Sequence, residues 1–573
     1  MEAMRVEITP GRNGEPSAKL VRGTKSVTLH SLSPWQEAER LAEKISPAIE
    51  TVVVAGFGMG YLAEYLLQQT SHRVLVYDHE PSVIEAAKVA RNLNSVLSSP
   101  RIAVVTGEPQ ELTRYLAEND VRELSFSIHR AYHSLYPEIY GNLEGLLAAH
   151  LAKRQINRAT LKRFQKTWLK NIVKNAPAYF TFPGMGDIRH PFSGKPAVVV
   201  GAGPSLGRNI GVLKDVQDRA CVIATDTALP MLCENGVKAD FVVSVDPQDR
   251  NTLFLLYSRC RDAVLVLEGA GSFVSLAKYN PERTVLAGSI FPLYEALSVL
   301  WGDRGSLRSG GSVSTTAFDL ARQLGCSPIV MVGQDLAYTG RATHFRGNVL
   351  EDFLYWRIDR LRTWESYSAK TLVQADSIEI AAWDGGKVRT DRKFLTFLDW
   401  FIREIRETNV PVINATEGGA HIEGAAHERL ADCAAGGFPQ PFDKAVRLER
   451  RAVDESAYRA TIKQVLRTVE SLQPLCRKAL AASGRASAAF ARRQDLHPLF
   501  REMGAFDRAL LVAIREGTPV GRFLELAMQD SIDAIMRQVE SPAVDEALLS
   551  SWSELYREAL EALARVRHLL RKA

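Results

Sequence analysis

The chain is 573 residues long, and because one hydrophobic core stops growing near about 250–300 residues, several domains are expected. Its 46% hydrophobic and 24% charged residues exclude a disordered, collagenous or disulfide-scaffold protein. With 71 Lys+Arg against 66 Asp+Glu, the net charge of +5 is too small for a protein that wraps a nucleic-acid duplex.

The start, MEAMRVEITPGRNGEPSAKL, carries charges where a secretory signal needs an apolar stretch. No apolar run approaches the ~18 residues of a membrane span, so a cytoplasmic protein with no membrane span and no nucleic-acid partner is expected. Six cysteines (Cys221, Cys233, Cys260, Cys326, Cys433, Cys476) occur without a Cys-x-x-Cys pair. That spacing predicts reduced core thiols, and neither a zinc site nor a disulfide framework.

In chain order, Thr51–Ala55 (TVVVA), Val74–Asp78 (VLVYD) and Arg101–Thr106 (RIAVVT) read as buried strands alternating with helices, which means a parallel sheet covered on both faces. A helix follows over Leu151–Asn175, with eight basic residues, no acidic ones, and an apolar stripe of Leu161, Phe164, Trp168 and Ile172. A second α/β pattern begins near Pro191, with strands AVVV (197–200), CVIA (221–224), FVVSV (241–245), VLVL (264–267), IVMV (329–332) and VPVI (410–413). After Phe442 strand signals stop. Tyr458, Ile462, Val465, Val469 and Leu472, and later Trp552, Leu555, Ala559, Leu563 and Val566, recur at helical spacing. The fold class expected is α/β: two Rossmann-like parallel-sheet domains followed by an all-helical C-terminal domain. The divisions fall at 1–150, a basic linker helix 151–190, a catalytic domain 191–440 and a helical bundle 441–573.

Two glycine-rich turns follow first strands. Gly56-Phe-Gly58-Met-Gly60, with Asp78 ending the next strand, would suit a cofactor whose ribose bonds Asp78, or a unit that keeps only the shape of such a site. Gly201-Ala-Gly203-Pro-Ser205 opens a helix whose free amides and dipole favour phosphate. Polar residues gather at the carboxyl ends of the strands around it: Asp226 and Thr227, Asp246, Gln334 and Asp335, then Asn414, Thr416 and Glu417. That edge is where open α/β sheets bind ligands. Ser309-Gly310-Gly311-Ser312 and the hydroxyls to Thr316 form a second backbone-lined cradle, suited to a base or sugar. Tyr338 would donate to a departing phosphate, and His344 would act as acid or base near neutrality.

GAGPSL at 201–206, SGGSVSTTAFDLA at 309–321, GQDLAYTGRATH at 333–344 and NATEGGAHIEG at 414–424 together resemble the motility-associated factor (Maf) family of flagellin glycosyltransferases. The core is also similar to bacterial sialyltransferases. The resemblance implies transfer of a nonulosonic acid, pseudaminic or legionaminic, from a CMP-activated donor to Ser or Thr of flagellin, with no cofactor and no resident metal. It places phosphate at Gly201, Gly203 and Ser205, and cytidine near Gly310, Gly311, Ser312, Asp226 and Thr227. Asp246, Asn414 and Thr416 complete the donor site, and Asp335, Tyr338, His344 and Glu417 form the catalytic group. The sequence departs from the sialyltransferases at Ala202, where they carry Asn, and over Gly385–Asp391, where they place a catalytic His. The base is open among His344, Asp391, Glu417 and His421. A second reading is the archaeal hydroxymethylpterin pyrophosphokinase, with Asp246, Asp249 and Asp335 holding Mg²⁺. A third is a non-catalytic flagellin-binding protein.

Overall fold

The computed structural model describes residues 4–571 apart from 11–13, 48, 120, 122–123, 290, 292–293, 295–297, 299–300, 350–357, 362, 364–365, 367–376, 451–454 and 540–543. The chain divides into two compact units, Met1–Lys162 and Arg163–Ala573.

The first unit holds a three-stranded antiparallel sheet, β1 (Arg5–Pro10), β2 (Pro16–Arg22) and β3 (Lys25–Thr28). Its second sheet is parallel, from β4 (Thr51–Ala55), β5 (Arg73–Asp78), β6 (Ile102–Thr106) and β7 (Leu124–Ile128), in the order β6-β5-β4-β7. Strand β4 is buried along its whole length because helices cover both faces, so it reads as an unbroken β-branched run. Strand β7 (LSFSI) escaped the sequence reading; its serines interrupt that run and most of it is only half-buried.

The second unit is built on β8 (Ile188–Arg189), β9 (Ala197–Val200), β10 (Cys221–Thr225), β11 (Phe241–Ser244), β12 (Val264–Glu268), β13 (Thr284–Ala287), β14 (Ile329–Val332), β15 (Ile378–Ala381), β16 (Lys387–Thr390), β17 (Val412–Asn414), β18 (Ala426–His427) and β19 (Arg447–Leu448). Eight of these form one parallel sheet in the order β13-β12-β11-β10-β9-β14-β17-β18. Side chains alternate between its faces, as strand geometry requires. Val198, Val200, Val222 and Ala224 enter one apolar cluster, and Ala197, Val199, Cys221 and Ile223 the other. Each Val or Ile so buried contributes about 1.5–3 kcal/mol. The last predicted strand begins two residues later than VPVI, since Pro411 has no N–H to pair; its carbonyl accepts from Ile329 N instead.

The basic helix is longer than its sequence signal, spanning Pro137–Thr181. Trp168 is half-buried and Ile172 fully buried in the second unit's core, while the side chain of Leu161 lies outside the described residues. The C-terminal helices are Glu455–Ala491, His497–Arg515, Pro519–Ala527, Gln529–Val539 and Glu546–Leu570. Val465, Val469, Leu472 and Cys476 recur on one face and join Phe506 and Tyr556 in the cluster that also takes Val198 and Val200. The helical region and one face of the sheet therefore share a core; Tyr458's side chain is outside the described residues. Gly517 (φ 64°) ends one of these helices and Thr518 opens the next, its Oγ1 accepting from Gly521 N at 3.1 Å with Pro519 in the first turn.

One sequence expectation is corrected here. Cys233 and Cys260, read as reduced thiols, form a disulfide with their Cα atoms 5.8 Å apart. Nothing in a 27-residue separation announces it; the helices Leu229–Glu234 and Thr252–Tyr257 pack together and bring the two residues into reach. Cys221, Cys326, Cys433 and Cys476 are free and buried.

Candidate functional site

Strand β9 runs into the Gly201–Ser205 turn and then the helix Leu206–Val216. The glycines are required by what lies against them. A Cβ at Gly201 would stand 2.5 Å from Gln334 Nε2 and 2.6 Å from Gly333 O. One at Gly203 would overlap the Asp335 carboxylate and stand 2.5 Å from Gly333 O. Asp335 follows β14, the neighbour of β9, so the parallel pairing carries its side chain into the turn. Its Oδ2 accepts from Ser205 Oγ at 2.7 Å and from Ser205 N at 3.3 Å. The anion at this helix N-terminus is thus the protein's own carboxylate. Burial pushes the Asp335 carboxyl above its ordinary range, opposed by hydrogen bonds from Thr339 and Ser205.

The loop after Asp335 folds back over the turn. Phe345 N donates to Ala202 O at 3.1 Å, which sets His344 beside it. Burial, with the Lys393 charge adding to it, lowers His344 to about 4, so its imidazole is neutral at physiological pH. Tyr338 OH donates to Asp391 Oδ2 at 2.6 Å, and burial followed by this carboxylate raises the phenol's pKa. Asp391 also caps the helix Arg392–Glu407, its Oδ1 accepting from Phe394 N at 2.8 Å. Both of its oxygens are engaged, so Asp391 fits a positioning role better than that of a free base.

Glu417 is similarly engaged. Its Oε1 accepts from Asn209 Nδ2 at 2.9 Å and from Leu430 N at 3.2 Å, the first amide of the helix Leu430–Gly437, and Arg429 Nε lies 3.6 Å from Oε2. Glu417→Ala leaves two buried or half-buried donors without an acceptor, at a cost of about 1–3 kcal/mol; urea denaturation should show a lowered midpoint. His421 is exposed, its ring stacked on His427 at 4.2 Å.

Asn414 Oδ1 accepts from Thr416 N at 3.2 Å, and Thr416 Oγ1 accepts from Gln334 N at 3.1 Å, tying β17 to β14. Several buried polar atoms at this end of the sheet find no protein partner, among them Gln334 Nε2, Asn414 Nδ2, Thr316 Oγ1 and Asn209 Oδ1. Buried polar groups are nearly always satisfied, so such a set marks where solvent or a ligand completes the bonding. The Ser309–Thr316 loop is partly self-satisfied. Gly310 N donates to Thr315 Oγ1 at 2.9 Å, Ser312 Oγ caps Ser314 N, and the Trp400 ring lies where a Gly310 side chain would go. Gly311 takes φ 91°.

Asp226 and Asp246 stand farther along the edge, after β10 and β11. Asp226 is fully buried, accepting from Ser244 Oγ at 2.8 Å and from Thr227 N at 2.7 Å and Oγ1 at 3.1 Å. Burial, with the Asp246 charge adding, raises it to about 6. Asp246 Oδ1 accepts from Gln248 N at 2.8 Å, and Asp249 Oδ2 lies 2.9 Å from Lys170 Nζ. Among the described residues, Asp246, Asp249 and Asp335 do not gather around one point that could hold an ion.

The first unit's glycine turn differs. Gly56, Phe57, Gly58, Met59 and Gly60 N donate to Tyr77 O, Asp78 Oδ2, Tyr132 OH, His30 Nε2 and Phe57 O respectively, all within 3.1 Å. Asp78, fully buried, also accepts from Tyr132 OH at 2.8 Å and from Glu80 N at 2.9 Å. No amide of that turn and no exposed Asp78 oxygen is offered to a ribose or phosphate.

Asn209, Thr339 and Trp400 were not singled out from the sequence. Asn209 had no readable signal: it is a lone amide in a helix, and its partners, Ala415 O and Glu417, lie more than 200 residues on.

The sequence profile of the family described as "6-hydroxymethylpterin diphosphokinase MptE-like" matches residues 170–341. An uncharacterized protein of Treponema pallidum (strain Nichols) is 33% identical over 150 residues, 24% of this chain and 38% of that protein. The match thus spans well under half of that relative. The 6-hydroxymethyl-7,8-dihydropterin pyrophosphokinase of Methanocaldococcus jannaschii is 26% identical over 223 residues, 37% of this chain and 86% of that enzyme. Among solved structures, a Maf glycosyltransferase from Magnetospirillum magneticum AMB-1 superposes with a TM-score of 0.57 at 14% identity, covering 99% of this chain and 91% of that one. Over nearly its whole length the chain has the fold of that Maf glycosyltransferase, and between residues 170 and 341 it resembles the MptE-like pterin diphosphokinases.

Proposed function

We propose that the protein is a cytoplasmic glycosyltransferase that moves a nonulosonic acid, of the pseudaminic or legionaminic type, from a CMP-activated donor to Ser or Thr hydroxyls of flagellin. The observation that carries this reading is extent. Likeness to the Maf glycosyltransferase covers 99% of the chain, flanking regions included, whereas the pterin enzyme matches 37% of it. Regions beyond the core suit a large protein acceptor better than a small pterin.

In this reading Asp335 fixes Ser205 and the glycine turn, and the unpartnered Gln334 Nε2, Asn414 Nδ2 and Thr316 Oγ1 receive polar atoms of the donor. The acceptor oxygen bonds to the anomeric carbon while the bond from that carbon to the phosphate oxygen breaks, its electron pair leaving on CMP. The acceptor's proton passes to neutral His344, and Tyr338 turns its single O–H from Asp391 to the departing phosphate oxygen as charge develops there.

Because His344 is lowered to about 4, it stays a competent base until pH falls toward that value. Transfer by the wild-type protein should therefore hold level from pH 8 down to about 5 and fall below it, with His344→Ala slower by about 10²–10⁴-fold. A pH profile of initial rates measures both.

The second reading is Mg²⁺-dependent pyrophosphoryl transfer to 6-hydroxymethylpterin, favoured by the family match over residues 170–341. Its named carboxylates, Asp246, Asp249 and Asp335, are engaged separately, so no step is derived through a metal. A flagellin-binding role without catalysis is the third. Incubation with CMP-nonulosonic acid, or with ATP and 6-hydroxymethyl-dihydropterin, each with and without EDTA, separates them. CMP release unaffected by EDTA is expected. AMP release that EDTA abolishes would favour the pterin reading, and flagellin binding with neither donor consumed would favour the third.

A further inference from the structure

The glycine turn that opens the helix Leu206–Val216 has few donors left for a phosphate. Gly201 N and Gly203 N donate to Val332 O and Gly333 O, each at 2.9 Å. Leu206 N donates to Gly203 O at 3.1 Å, and Ser205 N to Asp335 Oδ2 at 3.3 Å. The Asp335 carboxylate also brings negative charge to the place where a phosphate would sit. A nucleotide held here needs a positive side chain, both to offset that charge and to supply the missing hydrogen bonds.

Arg208 meets both needs. It stands in the first turn of the same helix, where the helix dipole favours acidic residues, and that turn holds none. Its NH1 donates to Glu417 O at 2.5 Å, which leaves the rest of the guanidinium fork available. Glu417 follows β17 and is held at φ 58°, a strained conformation for a residue other than glycine and one that gathers at ligand-binding loops. Asn209, the next residue along the helix, ties the same loop through Ala415 O and Glu417 Oε1. Arg208 is thus anchored between the turn after β9 and the loop after β17, with its side chain exposed.

What Arg208 bonds is a neutral carbonyl, so its charge is not cancelled there. Asp335 feels it: burial raises that carboxyl, and the Arg208 charge is among the influences that oppose the rise. A second donor lies at the same turn. Gln334 Nε2, on a residue only 2% exposed, has no protein partner and stands 2.5 Å from where a Gly201 Cβ would be. Transfer calls for positive charge at this point. The phosphodiester of an activated sugar carries one negative charge. When the bond from the anomeric carbon to the phosphate oxygen breaks, the electron pair stays on that oxygen and the monophosphate leaves with a second charge, while the acceptor's proton goes to His344. Tyr338 supplies a hydrogen bond but no charge, and a guanidinium supplies both.

We infer that Arg208 is the phosphate ligand of the bound nucleotide, its free N–H groups holding the phosphate beside Asp335 and stabilising the monophosphate as it leaves. This rests on the reading of the turn as the seat of a nucleotide donor. A departing AMP develops the same charge as a departing CMP, so the role of Arg208 and the identity of the nucleotide are tested separately.

The test is a saturation-transfer NMR titration of the full chain with CMP, cytidine, AMP and adenosine as probes. CMP should bind the wild type at least about tenfold tighter than cytidine, since the two differ only in the phosphate. Arg208→Gln should weaken CMP by about 10–100-fold and leave cytidine within about threefold. Arg208→Lys keeps the charge without the fork and should fall between the two. Added salt should weaken CMP binding to the wild type more than to Arg208→Gln. AMP bound in place of CMP, with the same loss relative to adenosine in Arg208→Gln, would overturn the sugar-donor reading and uphold the role of Arg208. Three results would overturn that role: monophosphate affinity unchanged in Arg208→Gln, equal losses for the monophosphate and its nucleoside, as a merely structural contact with Glu417 would give, or no binding of either monophosphate to the wild type.

Discussion

Asp335→Ala should lower sugar transfer by at least about a hundredfold, the loss typical when a preorganised polar group is removed from an active site. Asp335 is the acceptor for Ser205 Oγ and Ser205 N, and it lies against both Gly203 and Gly418. Without it the helix Leu206–Val216 loses the anion at its N-terminus, and the turn loses the contact that sets its distance from β14. The stability cost is smaller than the catalytic one. The raised pKa means that part of the carboxylate's bonding is offset by its burial, so removing it returns some of that desolvation. Circular dichroism should find the variant folded while rates collapse. Asp335→Asn keeps an acceptor for Ser205 Oγ and should retain more activity than the alanine variant.

Gly203→Ala is expected to have the largest effect on stability. The added methyl meets the Gly333 carbonyl at 2.5 Å, and that carbonyl is fixed because Gly203 N donates to it at 2.9 Å across the β9–β14 pair. Neither strand can yield without breaking the centre of the eight-stranded sheet. A cost of about 1–3 kcal/mol or somewhat more is expected for such overpacking, with the site distorted at the same time. Gly207→Ala is the control. It adds the same methyl four residues on, where nothing lies within 4 Å, and should be neutral or stabilising by up to about 1 kcal/mol. Equal denaturation midpoints for the two variants would contradict the close approach of Asp335 and Gly333 to the turn.

The parts of this fold that were legible in the sequence share one physical cause. Strands β4, β5, β9, β10, β11, β12 and β14 lie inside parallel sheets, and burial on both faces leaves them as short apolar runs bounded by turn residues. The edge strand β13 (TVLA), which follows the 3₁₀ turn Pro281–Arg283, is no shorter than β9 or β14 but has only two large apolar residues between its Thr and Ala, so it did not stand out. The hairpin β15–β16 has half-exposed strands that need no such run, although Asp384-Gly385-Gly386 is a turn signal in retrospect.

The site divides in the same way. The glycine turn and the polar residues at the strand ends are local patterns, and both were readable. Which of those residues are already spent is a long-range matter. Asp335 fills a turn 130 residues earlier, Glu417 binds Asn209 from 208 residues away, and Tyr338 meets Asp391 across 53 residues. Only the fold decides that Glu417 and Asp391 act as caps while His344 is brought to the turn. The disulfide between Cys233 and Cys260 belongs to the same class, because its partners meet only through the packing of two helices.

The reaction proposed is transfer of an activated acidic sugar to flagellin. It is tested most directly by the intact mass of flagellin after incubation with the purified protein and CMP-pseudaminic or CMP-legionaminic acid. Mass increments of one or more nonulosonic acid residues on Ser or Thr are expected, undiminished by EDTA and absent with Asp335→Ala. Unmodified flagellin with both donors, or full modification by the Asp335→Ala variant, would contradict it.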